Sequence, residues 1–330
     1  MNRRSLLDVT VVKVAVLKIA VLGVGLALLI SPSPALAADP REALTVDALS
    51  SRSYDGGAIV SERVMARFPS FTRHLIRWRS DGLVQYGFAN IPTGAKKRLP
   101  VVLLLHGYVN PATYQTTTYT TRYADALARA GYVVLHPNYR GHGLSEGRAD
   151  GLFRVSYALD VLNLAASLRK QAGSKGFLST ADGSRVALWG HSMGGGIAHR
   201  VLVVRPAWFK AAVLYGAMSA DEIENSERIY NFYSNQTRGV TEYRTPEKWL
   251  ELISPLAYLP KVTAKISVHH GAADESVPVA WSLRYCQIMK RLAKTISCNT
   301  YAGAPHLFAR GSRTDALFNS RVLSFFKSSL

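Results

Sequence analysis

The chain has 330 residues, of which 48% are hydrophobic, and carries 40 Lys and Arg against 22 Asp and Glu, a formal net charge of +18. That apolar content suits one large folded domain and excludes a disordered chain, while only two cysteines exclude a scaffold held by many disulfides. The basic residues form no long cluster and accompany no helix-turn-helix, zinc or aromatic RNA-binding motif, so we expect no nucleic-acid partner and, at most, electrostatic association with anionic surfaces.

The first 37 residues have the pattern of a secretory signal peptide. Arg3 and Arg4 begin a basic region, an apolar stretch follows at 19–30, and a small-residue cleavage site ends at Ala37. As a helix, that stretch would extend about 18 Å, which is too short for the ~30 Å hydrocarbon core that an uncleaved anchor must span. We therefore expect export, periplasmic or secreted, with cleavage after Ala37. The Arg3-Arg4 pair leaves a twin-arginine route open.

The rest of the chain shows alternating strand and helix patterns after an N-terminal arm at 38–70. Eight strands with crossover helices predict an α/β fold, with a mostly parallel, doubly wound, eight-stranded sheet in a domain at 71–330. The strands are predicted at 71–79, 83–91, 101–106, 132–136, 186–190, 211–215, 266–270 and 296–301, and the helices at 121–130, 155–170, 193–204, 279–292 and 314–328.

One long interval, 216–259, has no strand pattern and is rich in aromatic residues. We predict that it forms a cap insertion over the cleft, and call it the cap segment. Its excess of acidic residues fits either contact with a substrate ammonium or, as we favour, a solvated helical face.

A nucleophile elbow is predicted around Ser192. The sequence VALWGHSMGGG, at 186–196, runs from an apolar strand through Gly190-His-Ser-Met-Gly194 into a helix. In such a turn the serine hydroxyl projects into a cleft, and glycines flank it because a Cβ would collide with neighbouring backbone. The alternative is a plain glycine-rich turn.

A reactive serine needs a base and an acid that orients this base, in the order Ser, Asp or Glu, His for this architecture. Asp274 and His306 each follow a predicted strand in that order. Alternatively, Asp274 only caps the helix that follows it, and His306 is a solvent-exposed loop histidine. Asp221, which follows the strand at 211–215, is the rival acid. We expect a catalytic triad of Ser192, Asp274 and His306.

Two backbone N–H groups are candidates for an oxyanion hole. Met193 follows the serine at the positive end of a helix, and Tyr108 follows the strand that ends in His-Gly. The side chain of Tyr108 either lines an acyl pocket, assists with its hydroxyl, or is an exposed loop tyrosine.

Neither a metal nor another cofactor is expected. His136, His199 and the adjacent pair His269 and His270 fit ordinary strand or helix surfaces, and neighbours on one strand point to opposite faces and cannot chelate one ion together. The two cysteines, Cys286 and Cys298, form either a disulfide in an oxidising compartment or two buried thiols.

Five segments resemble the catalytic domain of prolyl oligopeptidase-type serine peptidases and related α/β-hydrolase esterases. The similarity covers roughly 71–330, and it implies the same triad roles for Ser192, Asp274 and His306. The segments are NYRGHGLSEG (138–147), the elbow, ISPLAY (253–258), HGAADESVP (270–278) and GAPH (303–306).

The chain departs from that family in two respects. Asn138 stands where the family motif usually has Asp, which puts a structural hydrogen bond in doubt. The length also leaves too little chain for the β-propeller that limits those peptidases to short peptides. We expect hydrolysis of small esters or short peptides through an acyl-enzyme, with esters preferred. A peptidase, an acyltransferase and a non-catalytic binding protein are the alternatives, and the sequence does not fix the oligomeric state.

Overall fold

The computed structural model describes residues 39–149 and 152–330. The predicted signal peptide and its cleavage site at Ala37 lie outside these residues, so export stays a prediction. Within the described residues, no helix is both long enough and apolar enough to cross a membrane.

The described residues form one nine-stranded sheet in the order β1-β2-β3-β5-β4-β6-β7-β8-β9. Antiparallel pairs join β1 to β2, β2 to β3 and β3 to β5, whereas the pairs β5–β4, β4–β6, β6–β7, β7–β8 and β8–β9 are parallel. The strands are β1 (Val60–Arg67), β2 (Phe71–Ser80), β3 (Leu83–Pro92), β4 (Leu99–Leu105), β5 (Val133–Pro137), β6 (Ala181–His191), β7 (Ala211–Tyr215), β8 (Lys265–Gly271) and β9 (Ile296–Tyr301).

The expected count of eight strands was wrong, because β1 lies within the segment predicted to be an arm. Its sequence, VSERVMAR, shows no clean alternation of polar and apolar residues, and much of it is exposed. Its pairing with β2 is also irregular, with register shifts between Ser61 and Arg63 and between Val64 and Ala66. A strand at the edge of a sheet needs only one paired side and no fully apolar face, so periodicity alone does not reveal it.

Helices cover both faces of the sheet. In β4, Val101, Leu103 and Leu105 pack in one core with α3 and α4, while Val102 and Leu104 pack in the other with α2 and α9. The doubly wound, mostly parallel α/β fold is therefore confirmed. The helices are α1 (Val46–Ser51), α2 (Thr121–Arg129), α3 (Val155–Gln171), α4 (Met193–Val204), α5 (Glu222–Glu227), α6 (Val240–Tyr243), α7 (Glu247–Ile253), α8 (Val279–Arg291) and α9 (Arg313–Ser329).

The parallel strands carry the predicted site residues to one edge of the sheet. Tyr108 follows β4, Ser192 follows β6, Asp274 follows β8 and His306 follows β9. Parallel strands end at the same edge, so residues far apart in sequence meet there. The cap segment follows β7 and contains α5, α6 and α7, with no strand.

A disulfide joins the end of the sheet to its covering helix. Cys286 on α8 and Cys298 on β9 are bonded to each other in the structure, and their Cα atoms are 6.5 Å apart. Cys286 is buried in the core between the sheet and α8. The bond therefore connects α8 to the strand that precedes the His306 loop.

Candidate active site

Ser192 occupies a strained backbone position between β6 and α4. Its φ of 55° and ψ of −119° are unusual for a residue other than glycine. The surrounding packing leaves no room for relaxation. A Cβ at Gly194 would lie 2.2 Å from the carbonyl oxygen of Leu105, so only glycine lets α4 approach β4 this closely. The Ser192 N–H also donates to the carbonyl of Tyr215 at 3.0 Å. This geometry is that of a nucleophile elbow.

His306 and Asp274 are directly bonded. The imidazole Nδ1 of His306 lies 2.7 Å from Oδ2 of Asp274, whose side chain is fully buried. The other oxygen, Oδ1, accepts the N–H groups of Ser276 and Val277 at 2.9 and 2.7 Å. A carboxylate held in this way fixes the Nδ1–H tautomer of the histidine and leaves Nε2 as a base.

Asp274 has a second histidine partner that sequence reasoning missed. We expected His270 on an ordinary strand surface, which was wrong: it is 1% exposed, and its Nε2 lies 3.0 Å from Oδ2 of Asp274. Its Nδ1 lies 2.7 Å from Oγ of Ser282. The only sequence feature that indicates this contact is the position of His270 at the end of the strand before Asp274. His269 points to the opposite face, toward the hydroxyl of Tyr301.

The expected surface positions of three other histidines were also wrong. His136 and His199 are buried, at 0% and 3% exposure, and His269 is buried at 0%. The periodicity of apolar neighbours gave no indication of this, because a neutral imidazole is compatible with a core when its surroundings exclude water. Among the described residues, no group of three or more His, Cys, Asp or Glu side chains is arranged to hold a metal ion.

The hydrogen bonds around Asp274 keep it ionised. Burial alone would raise the pKa of its carboxyl group, but the hydrogen bonds from His270 and His306 outweigh that effect and hold the pKa far below its usual range. A carboxylate that stays charged stabilises the imidazolium that forms when a histidine accepts a proton.

Asp221, the rival acid, has a different environment. Its Oδ1 accepts the N–H of Ile223 at 2.9 Å and so caps the start of α5. Burial raises the pKa of its carboxyl group. The imidazole of His306 bonds to Asp274 instead, so the geometry favours Asp274 as the acid.

Gly216, at the end of β7, permits the approach of the acid and the histidine. Its φ is +48°, and a Cβ there would lie 3.2 Å from Nδ1 of His306 and 3.3 Å from Oδ2 of Asp274. Both the left-handed backbone and the lack of space favour glycine. Sequence reasoning did not single out this residue, because it belongs to none of the motifs.

The predicted oxyanion donors flank Ser192. Met193 begins α4, and Tyr108 lies in the loop that follows β4, which we call the oxyanion loop (107–108). The Gly107 N–H donates to the hydroxyl of Tyr119 at 2.8 Å, which holds the loop in place. The side chain of Tyr108 is 53% exposed, and its hydroxyl accepts a hydrogen bond from Arg238 at 2.6 Å.

A chain of hydrogen bonds connects the oxyanion loop to the His306 loop. Since the Tyr119 hydroxyl accepts from Gly107, its own proton is available for Nδ1 of His191, 2.7 Å away. Nε2–H of His191 then donates to the carbonyl oxygen of His306 at 3.3 Å. Burial lowers the pKa of His191 to about 3, so the ring is neutral and the direction of these bonds is fixed.

Ser192 and His306 open into one cavity of about 880 Å³. Its walls combine residues of the sheet edge, including Tyr108 and Met193, with residues of the cap segment. Tyrosine, leucine and methionine side chains make most of this wall apolar. Arg154, Arg238 and Glu242 are the charged residues that line it apart from the histidines. A large, mainly apolar cavity with a few polar groups is typical of a small-molecule site.

Residues 118–330 match the model of the prolyl oligopeptidase family (Peptidase_S9). This chain belongs to the prolyl oligopeptidase family. The family resemblance that the motifs indicated is thereby confirmed.

The structure resembles those of both peptidases and esterases. The acylaminoacyl peptidase of Pyrococcus horikoshii superposes with a TM-score of 0.66 and 23% identity, over 80% of this chain and 42% of its own. Acetyl xylan esterase from Paenibacillus sp. R4 gives a TM-score of 0.63 and 17% identity, over 86% and 92%. At these identities the likeness concerns the fold alone.

A sequence relative covers a smaller part of the protein. An Escherichia coli protein described as an uncharacterized 31.7 kDa protein in the traX-finO intergenic region is 28% identical over 106 residues. The match spans 32% of this chain and 33% of that relative.

Proposed function

We propose that this serine hydrolase is an exported esterase in which Ser192, His306 and Asp274 form a catalytic triad. The observation that carries the proposal is the 2.7 Å hydrogen bond from His306 to the buried Asp274, in the same cavity as the strained Ser192. These side chains come from three separate loops, and Ser192 and His306 line one cavity, which supports acyl transfer as the reaction.

The reaction follows from these positions. Nε2 of His306 takes the hydroxyl proton as Oγ of Ser192 attacks the substrate carbonyl carbon, and Asp274 stabilises the imidazolium. The N–H groups of Met193 and Tyr108 stabilise the negative charge on the carbonyl oxygen. His306 then gives its proton to the leaving oxygen, which departs as an alcohol and leaves an ester on Ser192. Water hydrolyses that acyl-enzyme with His306 again acting as base.

Ester substrates are preferred in this proposal because they demand less of the site. An alkoxide leaves more readily than an amine, whose departure requires complete protonation by His306. A mainly apolar cavity under the cap segment is sufficient to bind an acyl group.

Hydrolysis of short peptides is the second candidate, and the charged residues of the cavity favour it. Sequence reasoning identified no group that would bind a peptide terminus. Arg238 and Glu242 nevertheless line the same cavity as Ser192, and they carry the charges that complement a terminal carboxylate and a terminal ammonium.

The test compares purified wild-type protein with its Ser192→Ala variant. We expect turnover of a short-chain nitrophenyl ester that is lost in the variant, and kcat/KM for aminoacyl and prolyl nitroanilides that is lower than for the ester. A fluorophosphonate probe should label wild type only. An ester rate at background alongside clear anilide turnover would establish the peptidase instead. Absence of both label and turnover would indicate a binding protein, and products formed with added alcohols would identify an acyltransferase.

Export has its own test. N-terminal sequencing of the protein recovered from outside the cytoplasm should begin at Ala38, directly after the predicted cleavage site. Recovery of the full-length chain with its first 37 residues attached would contradict the proposal.

A further inference from the structure

Arg238 extends from the cap segment to the oxyanion loop. Its Nη1 donates to the hydroxyl of Tyr108 at 2.6 Å, and its guanidinium carbon lies 4.8 Å from the centre of the Tyr108 ring. The backbone N–H of this tyrosine is the proposed oxyanion donor. Arg238 is thus a cation that reaches the immediate surroundings of the reacting carbonyl, and it lines the cavity that contains Ser192.

The guanidinium of Arg238 has no carboxylate partner in the described part of the chain. Within residues 39–149 and 152–330, no Asp or Glu side chain forms an ion pair with it. Glu242 lines the same cavity but is not paired with Arg238. A guanidinium has five N–H donors, and the bond to Tyr108 uses only one nitrogen.

The two arginines that line the cavity differ in their carboxylate partners. Arg154 forms an ion pair with Glu222, and the same carboxylate pairs with Arg200 at 2.5 Å. Arg238 has no such partner among the described residues, so of these two arginines it is the one available to an anionic ligand.

The loop that carries Arg238 is held in an unusual conformation. Asn235 and Gln236 have φ values of 43° and 65°, in the left-handed region that residues with side chains rarely adopt. The hydroxyl of Ser234 accepts the N–H of Arg238 at 3.0 Å and stabilises the turn. Strained backbone conformations are concentrated at functional sites, and this strained loop places Arg238 at the cavity. The conformation therefore supports a binding role for Arg238.

We propose that Arg238 makes this site selective for substrates that carry a carboxylate away from the bond that is cleaved. The carboxylate would accept the remaining N–H groups of the guanidinium while the scissile carbonyl faces Ser192. This inference rests on the proposed function. The inference adds the chemical class of the substrate to that function: an acidic ester or a short peptide with a free terminal carboxylate.

Two matched pairs of neutral and acidic substrates test the proposal. In the first, 3-acetoxybenzoate and 3-acetoxybenzamide place the charge on the leaving group. In the second, monomethyl terephthalate and methyl 4-carbamoylbenzoate place it on the acyl group. For each pair, the acid-to-amide ratio of kcat/KM is compared between wild type and Arg238→Gln, because this comparison cancels the intrinsic reactivity of the two esters.

We expect Arg238→Gln to lower the ratio about fivefold to thirtyfold for at least one pair, as befits a charge-assisted hydrogen bond that is partly exposed to solvent. The wild-type ratio should also fall between about 20 mM and about 500 mM salt, since screening weakens exposed ion pairs. Arg63→Gln, which removes an exposed arginine on β1, is the control and should leave the ratio unchanged. An equal effect of the control, or no effect of Arg238→Gln on either pair, overturns the proposal.

Binding to a catalytically inactive variant separates this inference from the proposed function. Calorimetry with Ser192→Ala should show that 3-hydroxybenzoate or terephthalate binds more tightly than its amide, and that the added Arg238→Gln change removes the difference. Such a result supports the binding role of Arg238 even if no ester is hydrolysed. Equal affinity for acid and amide, with Arg238 present, contradicts it.

Discussion

The hydroxyl of Tyr119 lies 2.7 Å from Nδ1 of His191 and connects two loops that flank Ser192. On one side it accepts the N–H of Gly107 in the oxyanion loop, and on the other side His191 bonds to the backbone of His306. Neither Tyr119 nor His191 is assigned a chemical step, but together they maintain the distance between the oxyanion donors and the base.

Removing that hydroxyl should therefore affect the transition state more than the substrate complex. For Tyr119→Phe we expect kcat to fall about 10- to 100-fold with little change in KM, because small displacements of an oxyanion donor are costly. Affinity for a tetrahedral phosphonate should fall in parallel. Tyr258→Phe is the control, since it removes an exposed hydroxyl that bonds to Asp47. A rise in KM with kcat unchanged would show that Tyr119 merely shapes the pocket.

The choice between the two candidate acids predicts opposite results for two conservative variants. Asp274→Asn should lower kcat about 10⁴-fold, because an amide at this position favours the wrong histidine tautomer. Asp221→Asn should stay within a few-fold of wild type, since an Asn side chain still caps a helix. Steady-state kinetics of the two variants on one ester decides the matter. If Asp221→Asn lost most of its activity while Asp274→Asn stayed near the wild-type rate, Asp221 would be the acid of the triad.

The Cys286–Cys298 disulfide should be detectable by counting thiols. We expect the unfolded, non-reduced protein to contain no free thiol, and reduction to lower the free energy of unfolding by roughly 2 to 3 kcal/mol, as the closure of a short loop implies. The double variant Cys286→Ser/Cys298→Ser should have the same lowered stability, with or without reductant. Two free thiols in the wild-type protein would contradict the bond.

Four buried histidines predict a loss of stability in weak acid. Burial lowers their pKa values to about 3, below the value near 6.5 in the unfolded chain, so the unfolded state binds more protons between these values. Each group then lowers the free energy of unfolding by about 1.4 kcal/mol per pH unit below about 6.5. The residues are His136, His191, His199 and His269.

Urea unfolding between pH 7 and pH 5 measures this slope. His199→Phe is the informative variant, because Nδ1 of His199 has no partner among the described residues and its ring packs against Tyr285 at 4.5 Å. This variant should reduce the slope of the unfolding free energy against pH by the contribution of one histidine, about 1.4 kcal/mol per pH unit. The contribution of Asp274 is lost only below its unfolded pKa, near 4, and so does not affect this range. A slope that His199→Phe leaves unchanged would mean that His199 titrates normally.

The buried cluster of Arg154, Glu222 and Arg200 should be sensitive to the loss of its only carboxylate. Burial lowers the pKa of Arg200 to about 10, but its guanidinium stays charged near neutral pH. Glu222→Gln should therefore cost about 3 to 5 kcal/mol of unfolding free energy. Glu62→Gln, at the exposed pair with Arg77, should cost less than about 1 kcal/mol. Equal losses in denaturant titrations would indicate that the cluster is hydrated.

The elements that the sequence predicted correctly are those with strong local patterns. The Ser192 elbow is encoded within a few residues, since its glycines and the flanking strand and helix are all adjacent in sequence. The strands β4, β5 and β7 are short apolar runs between helices, so their positions follow from periodicity and connection length.

The parts that escaped prediction depend on contacts that no local pattern of residues encodes. His270 contacts Asp274 only because of the turn after β8, and Tyr119 contacts His191 across 72 residues. The edge strand β1 has a mixed pattern because only one of its sides is paired. Asn138 departs from the family motif, yet both ends of its side-chain amide are hydrogen-bonded: Oδ1 accepts from the Tyr114 hydroxyl at 2.9 Å and Nδ2 donates to Thr116 at 3.1 Å.

The position of the acid and the base on the two final strands of the described sheet has a consequence for the timing of activity. Ser192 and its elbow belong to the middle of the chain, but Asp274 and His306 follow β8, which pairs with β7, and β9, which pairs with β8. Because domains emerge and fold from their N-terminal side, a nascent chain would contain Ser192 before its proposed base and acid. Under the proposed mechanism, the serine would therefore stay unreactive until β8 and β9 have joined the sheet.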